Sequence, residues 1–176
     1  MDPVTLARAS ALEHFRWMDG DADTWAMLAD GTALAAIVAG LAQLARQHRP
    51  DVVVGIESRG FLLGPAVAAA LGIGFVPVRK EGALFPGELV RQETEPDYRG
   101  NRQVLLARPE LLPPGRRVVL IDDWIETGSQ ALAAAHLIAS CRAKLVAVVV
   151  IIDEASPAAR DQLPPISAVM TGADLP

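Results

Sequence analysis

The stretch that decides the fold reads Val118-Val119-Leu120-Ile121-Asp122-Asp123-Trp124-Ile125-Glu126-Thr127-Gly128-Ser129-Gln130. Its first four residues are apolar and mostly β-branched, which predicts a buried strand. Two acids follow at the carboxyl end of that strand, and a Thr-Gly-Ser turn then opens a helix. In an open α/β sheet, ligands bind at this edge.

The turn after this strand has the chemistry of an anion site. Backbone N–H groups point out of a helix N-terminus, where the helix dipole favours phosphate. Gly128 lets the backbone approach closely, and the hydroxyls of Thr127 and Ser129 add donors. Asp122 and Asp123 are suited to accept from a sugar diol or to approach a divalent cation. The alternative is that Asp123 or Thr127 simply caps the helix and no ligand binds.

Strands and helices alternate along the rest of the chain. Apolar runs predict further strands at 52–56, 74–78 and 145–152, and their near-continuous hydrophobicity indicates strands covered on both faces. Apolar residues at three- and four-residue spacing predict helices at 4–17, 32–47, 60–71 and 127–141. We therefore expect an α/β fold with a mostly parallel, twisted sheet and helices on both faces.

Composition excludes several classes of protein. The chain has 176 residues, 51% of them hydrophobic, with a net charge of −5 and one cysteine. This length predicts a single domain, 1–176, and one cysteine excludes a disulfide scaffold. The apolar runs are shorter than the roughly 20 residues of a membrane span, the N-terminus has no signal-peptide pattern, and the acidic charge disfavours nucleic acid. We expect a soluble, cytoplasmic protein without membrane or nucleic-acid partners.

Three blocks of the sequence resemble one family. The run at 118–130 resembles the phosphoribosyl diphosphate-binding motif of type I phosphoribosyltransferases, in which four apolar residues, two acids, two apolar residues and a small or acidic residue precede Thr-Gly. The segment at 52–66, VVVGIESRGFLLGPA, is similar to the pyrophosphate-binding segment of adenine phosphoribosyltransferases. GFVPVRK at 74–80 also resembles that subgroup. Together the blocks cover about residues 30–155.

The resemblance implies a fold, a reaction and partners. It implies the type I phosphoribosyltransferase fold with a small hood from about 1–30 and 154–176, a flexible loop at about 80–101, Mg²⁺ as cofactor and a homodimer. The implied reaction transfers 5-phosphoribose from phosphoribosyl diphosphate to a purine base, with adenine favoured. The products are a nucleoside monophosphate and pyrophosphate, as in purine salvage.

The same resemblance assigns roles to individual residues. Ribose is expected on Asp122 and Asp123, and its 5′-phosphate on Thr127, Gly128, Ser129 and Gln130. Pyrophosphate is expected on Ser58, Arg59, Gly60, Arg79 and Lys80, with a strained peptide near Glu57-Ser58. The catalytic candidates are Glu126, Asp123 and Arg59, and Asp122 is the candidate metal ligand.

The residues themselves agree with part of this assignment. Ser58-Arg59-Gly60 follows a buried strand and opens a helix, so it forms a second anion-binding turn. The guanidinium of Arg59 is suited to bidentate contact with oxyanions. Arg79 and Lys80 end the next strand, where an ordinary solvated basic pair is the alternative.

The motif departs from the adenine subgroup at Glu126, Ser129 and Gln130, where Thr-Gly-Gly-Thr after a small residue is usual. In hypoxanthine–guanine relatives an aspartate at the position of Glu126 faces N7 of the purine. A glutamate there could act as a general acid–base, and a carboxylate that only favours the helix dipole is the alternative. An acceptor such as hypoxanthine, guanine or xanthine therefore stays open, as does a regulator that senses phosphoribosyl diphosphate without catalysis.

The base pocket departs further. Adenine enzymes usually carry a Phe-Arg-Asp-like stretch where this chain has Asp21-Ala22-Asp23-Thr24-Trp25. The aromatic residues that could stack on a base instead, or belong to the core, are Phe15, Trp17, Trp25 and Trp124. Asp153 and Glu154 are candidates for the base edge. The loop is expected to exclude water by closing over the site and to deliver Glu95, Asp97, Tyr98 and Arg99.

Overall fold

The computed structural model describes residues 2–96 and 100–176. Its helices are α1 (Pro3–His14), α2 (Trp25–Ala29), α3 (Gly31–Arg46), α4 (Gly60–Leu71), α5 (Ser129–Ser140) and α6 (Pro157–Gln162). Its strands are β1 (Arg16–Met18), β2 (Asp21–Asp23), β3 (Val52–Ile56), β4 (Gly74–Lys80), β5 (Val90–Glu93), β6 (Val104–Ala107), β7 (Arg117–Ile125), β8 (Lys144–Asp153) and β9 (Ile166–Thr171). Short 3₁₀ turns lie at Pro109–Leu111 and Gly172–Asp174.

Seven strands form the central sheet, in the order β5-β6-β4-β3-β7-β8-β9. The five strands from β4 to β9 are parallel, whereas β6 pairs antiparallel with β4 and with β5. The mostly parallel α/β fold is thus confirmed. Because β3 and β7 are neighbours, with Val53 opposite Val119, their carboxyl ends lie side by side. The two predicted anion-binding turns follow these two strands.

The sheet is covered by a hydrophobic cluster on each face. One cluster joins Val54 and Leu120 of the sheet to Leu137 of α5. The other joins Val119 to Leu41 of α3 and Leu63 of α4. All of these side chains are almost fully buried, and each contributes roughly 1.5–3 kcal/mol to stability. No helix among the described residues is long and apolar enough to cross a membrane.

Two glycines let α4 pack closely against the sheet, Gly55 at the end of β3 and Gly64 opposite Phe75 of β4. A side chain on Gly55 would collide with the carbonyl group of Gly60, and a side chain on Gly64 would lie 2.5 Å from the ring of Phe75. Only glycine allows this approach of strand and helix. It brings the turn at 57–60 over the edge of the sheet.

The termini differ from the expected hood. The predicted helix at 4–17 ends at His14, and the chain then forms the antiparallel β1–β2 hairpin. The segment 154–176, expected in the hood, contributes α6 and the edge strand β9, which pairs parallel with β8. Its end reaches the hairpin, where the indole N–H of Trp17 donates to the Pro176 carbonyl at 3.1 Å. The alternation of β9 was too weak to identify it as a strand.

The expected loop at 80–101 is partly ordered into the sheet. β5 lies inside this range and pairs antiparallel with β6, with Val90 opposite Ala107. Neither strand was predicted, because prolines, glycines and charges flank both of them and hide the strand pattern. The range expected as a loop therefore contains a strand that belongs to the central sheet.

Candidate active site

A cavity of about 770 Å³ lies at the carboxyl ends of β3 and β7, beside the β1–β2 hairpin. It brings together ten of the predicted site residues: Ser58, Arg59, Lys80, Asp122, Asp123, Glu126, Thr127, Gly128, Ser129 and Gln130. Two predicted residues, Gly60 and Arg79, are not part of its lining. The sheet thus brings residues from three distant blocks of the sequence together in one site.

The first acid of the pair at the end of β7, Asp122, has a perturbed pKa. Desolvation raises the pKa of Asp122 well above its usual range, and the nearby charge of Asp123 raises it further. A hydrogen bond at 2.9 Å from the Asp123 backbone N–H to Asp122 Oδ1 acts in the opposite direction. Asp122 therefore binds a proton more readily than an ordinary aspartate does.

Asp123 is held by two partners from other parts of the chain. Arg59 Nε lies 2.9 Å from Asp123 Oδ2, and the hydroxyl of Thr24 donates to the same oxygen at 2.7 Å. Arg59 Nε also donates to the hydroxyl of Thr24 at 3.1 Å. The guanidinium carbon of Arg59 lies 5.3 Å from the centre of the half-exposed Trp25 ring, within cation–π range.

The turn after the acid pair has the geometry of an anion site. Gly128 has a φ of +79°, and a side chain there would lie 2.5 Å from Ala159 of α6. The hydroxyl of Thr127 donates to Ser129 Oγ at 3.2 Å and accepts from the Ser129 backbone N–H at 3.3 Å. Both hydroxyls therefore lie at the N-terminus of α5. This is an arrangement of donors and dipole that favours a phosphate group.

The turn after β3 carries backbone strain. Ser58 has a φ of +113°, a conformation that costs a non-glycine residue about 1–3 kcal/mol. The resemblance implied strain at this place. Such strain persists where surrounding contacts hold the backbone, and here Glu57 supplies them.

Glu57 connects this turn to the end of β4. Arg79 donates to both carboxylate oxygens of Glu57, at 3.1 and 3.2 Å, and the backbone N–H of Lys80 donates at 2.9 Å. The hydrogen bond from Arg79 is the largest cause of a lowered Glu57 pKa, followed by the bond from Lys80. Arg79, expected to bind pyrophosphate, is thus occupied by Glu57. Lys80 lines the cavity, and its ammonium forms no ion pair with a described residue.

Replacing Glu57 by Gln should lower the free energy of unfolding by about 1 kcal/mol at neutral pH. Because the folded-state pKa of Glu57 lies below the ordinary 4.5, its stabilisation is present above that value and is lost as the pH falls through the folded-state pKa. Urea unfolding of both proteins at pH 7 and at roughly pH 3 should therefore show a difference that shrinks in acid. Glu88→Gln, at an exposed position, is the control, and an equal difference at both pH values would contradict this role.

Glu126 and the aromatic candidates differ in exposure. Glu126 is exposed, lines the cavity, and its carboxylate has no hydrogen bond within the described part of the chain. Trp17, Trp25 and Trp124 also line the cavity. Phe15 is 1% exposed and packs edge-on against Trp17, so it belongs to the core and not to the set that could stack on a base.

The candidate acids after β8 separate into two roles. Asp153 is buried, accepts from Arg160 at 2.8 Å and from the Ala155 backbone at 2.9 Å, and so serves the structure of the β8–α6 turn. Glu154 is exposed and lines the cavity. In the loop, Glu95 lies 3.5 Å from Arg102. The other loop candidates, Asp97, Tyr98 and Arg99, lie outside the described residues.

Sequence reasoning missed Thr24 as a site residue. It noted the stretch 21–25 only as a departure in the base pocket. The sequence signal for it is the pair Asp23-Thr24 before a short helix. Because the aspartate can cap the helix, the threonine hydroxyl is available for another partner.

The fold and the site define a class of protein. A parallel sheet that presents two helix N-termini, an acid pair and basic side chains at one edge is built to bind a phosphorylated sugar. The family model described as the phosphoribosyl transferase domain matches residues 24–169. The chain belongs to the phosphoribosyltransferase family.

Two curated relatives of this chain are adenine phosphoribosyltransferases. The chain is 40% identical over 131 residues to the adenine phosphoribosyltransferase of Desulfitobacterium hafniense, covering 74% of each chain. It is 43% identical over 129 residues to that of a Synechococcus species, covering 73% of this chain and 74% of the relative. The resemblance to the adenine enzymes of type I is thus confirmed.

Solved structures agree with these relatives. The adenine phosphoribosyltransferase of Saccharomyces cerevisiae, complexed with an imino-altritol bisphosphate and adenine, matches with a TM-score of 0.79 at 28% identity, covering 93% of this chain and 98% of that one. The Giardia lamblia enzyme with 9-deazaadenine matches with a TM-score of 0.81 at 28% identity, covering 93% and 97%. The sheet and helices are those of this family.

Proposed function

We propose that this chain transfers 5-phosphoribose from phosphoribosyl diphosphate to adenine, as in purine salvage. The bond from ribose C1 to pyrophosphate breaks, a bond from C1 to a nitrogen of the base forms, and the proton that the purine ring must lose passes to a general base. The observation that carries the proposal is the cavity, in which the acid pair and the turn at 127–130 lie with Arg59 and Lys80. The adenine-specific relatives supply the choice of base.

The ribose phosphate binds at the carboxyl end of β7. The N-terminus of α5 holds the 5′-phosphate through the N–H groups and hydroxyls at 127–130. Asp122 and Asp123 hold the ribose hydroxyls. The carboxyl oxygens of the two side chains can accept hydrogen bonds from the two hydroxyls of a diol.

Pyrophosphate binds between the turn at 57–60 and the end of β4. Lys80 and Arg59 supply positive charge, and the strained Ser58 turn directs backbone N–H groups toward the phosphates. Arg59 exchanges part of its contact with Asp123 for oxyanion oxygens when the substrate enters. Arg79 acts on this site indirectly, because its bonds to Glu57 fix the turn.

Magnesium fits this site as an ion carried by the substrate. The described residues include no cluster of three or more acidic, histidine or cysteine side chains able to hold a metal. In proteins Mg²⁺ commonly binds through one or two carboxylates plus substrate phosphates, and the acid pair with Asp122 offers that kind of partial donor set. When bound, Mg²⁺ neutralises the charge that develops on the departing pyrophosphate.

Glu126 is the candidate general acid–base that holds or moves a proton of the purine ring. It stands in the first residues after β7, next to the phosphate turn, with its carboxylate unengaged by described residues. A general acid–base at this place holds or moves a proton at N7. The aromatic rings of Trp17 and Trp124 lie 6.4 Å apart, belong to residues that line the same cavity, and are suited to stack on the base.

Replacing Glu126 by Gln tests this role. We expect kcat to fall by about tenfold or more, because general acid–base catalysis contributes roughly 10²–10⁴-fold. The KM for phosphoribosyl diphosphate should change little, since the phosphate turn is untouched. Steady-state kinetics of the variant and of Glu88→Gln measure this, and an unchanged kcat would favour a carboxylate that only interacts with the helix dipole.

The experiment that tests the proposed function is a pyrophosphate-release assay. The chain is mixed with phosphoribosyl diphosphate, Mg²⁺ and one of four bases: adenine, hypoxanthine, guanine or xanthine. Release with adenine at the highest kcat/KM supports the proposal, and preference for another base overturns the choice of acceptor. Binding of phosphoribosyl diphosphate without release from any base would identify a sensor instead of an enzyme. A homodimer and a cytoplasmic location stay predictions, which sedimentation and cell fractionation test.

A further inference from the structure

Thr24 is a polar residue buried where the β1–β2 hairpin joins α2. Thr24 is 1% exposed, and it lies 99 residues before Asp123 in the chain. A buried hydroxyl requires hydrogen-bond partners, because an unsatisfied one costs free energy. Thr24 finds both of its partners in the active site.

The hydroxyl of Thr24 is not used by its own helix. A threonine at the N-cap of a helix usually accepts a hydrogen bond from the first turn, but Thr24 makes no such bond. Asp23 replaces it, because its carboxylate accepts from the backbone N–H groups of Trp25 and Ala26 at 3.0 and 3.3 Å. The Thr24 hydroxyl is thereby left available for the acid pair.

The Thr24 hydroxyl is the donor in one of its two hydrogen bonds and the acceptor in the other. It donates to Asp123 Oδ2 at 2.7 Å and accepts from Arg59 Nε at 3.1 Å, while Arg59 Nε lies 2.9 Å from the same carboxylate oxygen. A hydroxyl can satisfy both contacts at once, whereas an apolar isostere can satisfy neither. The three side chains come from the hairpin region, β7 and the N-cap of α4.

We propose that Thr24 is a positioning residue for phosphoribosyl transfer. Its hydroxyl fixes the carboxylate of Asp123 toward the ribose, and it holds Arg59 at the position from which the guanidinium turns to pyrophosphate. The inference rests on the proposed function, because Asp123 and Arg59 are its ribose and pyrophosphate ligands. It adds that the hairpin region sets the geometry of both subsites through a single hydroxyl.

The test compares Thr24→Val, which removes the hydroxyl and keeps the shape, with Thr24→Ser, which keeps the hydroxyl. We expect Thr24→Val to lower kcat/KM for phosphoribosyl diphosphate by about tenfold, the scale of one hydrogen bond to a charged group. Thr24→Ser should recover most of that loss. The melting temperatures of both variants are measured alongside, so that a loss due to unfolding is recognised.

A double-mutant cycle separates positioning from a merely structural role. Because Thr24 is proposed to act partly through Asp123, Thr24→Val should change kcat/KM by clearly less than tenfold in an Asp123→Asn background. The same tenfold loss in both backgrounds, or a Thr24→Val variant within twofold of the wild type, would overturn the proposal. So would a Thr24→Ser variant as impaired as Thr24→Val.

The failure of the proposed function is distinguishable from the failure of this inference. If the wild-type chain releases no pyrophosphate with any base, the enzymatic function fails. The same variants are then compared by calorimetric titration with phosphoribosyl diphosphate. Weakening of about fivefold or more with Thr24→Val, and not with Thr24→Ser, would support the positioning role, and equal affinities would refute it.

Discussion

Replacing Asp123 by Asn is expected to lower kcat/KM for phosphoribosyl diphosphate by about tenfold or more while the protein stays folded. The carboxylate is the proposed acceptor of ribose hydroxyls, and a hydrogen bond to a charged group contributes roughly 1.5–3 kcal/mol, with about 1.4 kcal/mol for each factor of ten. The variant also leaves Arg59 without its ion-pair partner at 2.9 Å. Steady-state kinetics with adenine and varied phosphoribosyl diphosphate measure the effect.

The control for this variant is Asp161→Asn, an identical change at an exposed position on α6. Thermal unfolding of both variants shows whether the fold is intact. Wild-type kinetics in a well-folded Asp123→Asn variant would remove Asp123 from the site. A loss confined to KM would restrict its role to substrate binding.

Replacing Arg59 by Ala is expected to lower kcat/KM by a similar factor, about tenfold or more. The guanidinium is the proposed partner of the departing pyrophosphate, whose charge grows in the transition state. Arg59→Lys keeps the positive charge and loses the planar set of donors, so we expect it to recover only part of the activity. Kinetics and the calorimetric affinity for pyrophosphate measure both variants.

Arg46→Ala, exposed in the last turn of α3, is the matched control for Arg59→Ala. It removes one arginine that does not line the cavity and should leave the kinetics unchanged. If Arg59→Ala binds pyrophosphate as tightly as the wild type does, Arg59 does not contact the leaving group. Its role would then be limited to pairing with Asp123.

The sequence predicted the central elements of the fold because their patterns are local. The apolar runs at β3, β4, β7 and β8 are short and nearly continuous, as in strands buried on both faces. The family motif at 118–130 predicted the anion-binding turn, and the structure places its backbone at the start of α5. The weaker strands β5, β6 and β9 were missed, because their pairing partners and not their own residues define them.

The candidate site also has a part that the sequence predicted and a part that it did not. The anion-binding turns at 58–60 and 122–130 can be predicted from the sequence, because anion binding requires glycine, hydroxyls and a helix start at fixed spacing. The sequence does not show which side chains these residues contact. Arg79 was expected on pyrophosphate, yet the structure pairs it with Glu57, since the parallel pairing of β3 and β4 brings the ends of both strands together.

The stretch at 118–130 by itself determined a buried strand that ends in an acid pair, and it predicted a phosphate-binding turn, because each depends on residues close together in the chain. Only the tertiary structure decided which distant groups meet that stretch. The sheet order places Arg59 beside Asp123, and the hairpin region adds Thr24, the hydroxyl that bonds to both. Contacts across 99 residues depend on strand order and hairpin packing, which no local pattern specifies.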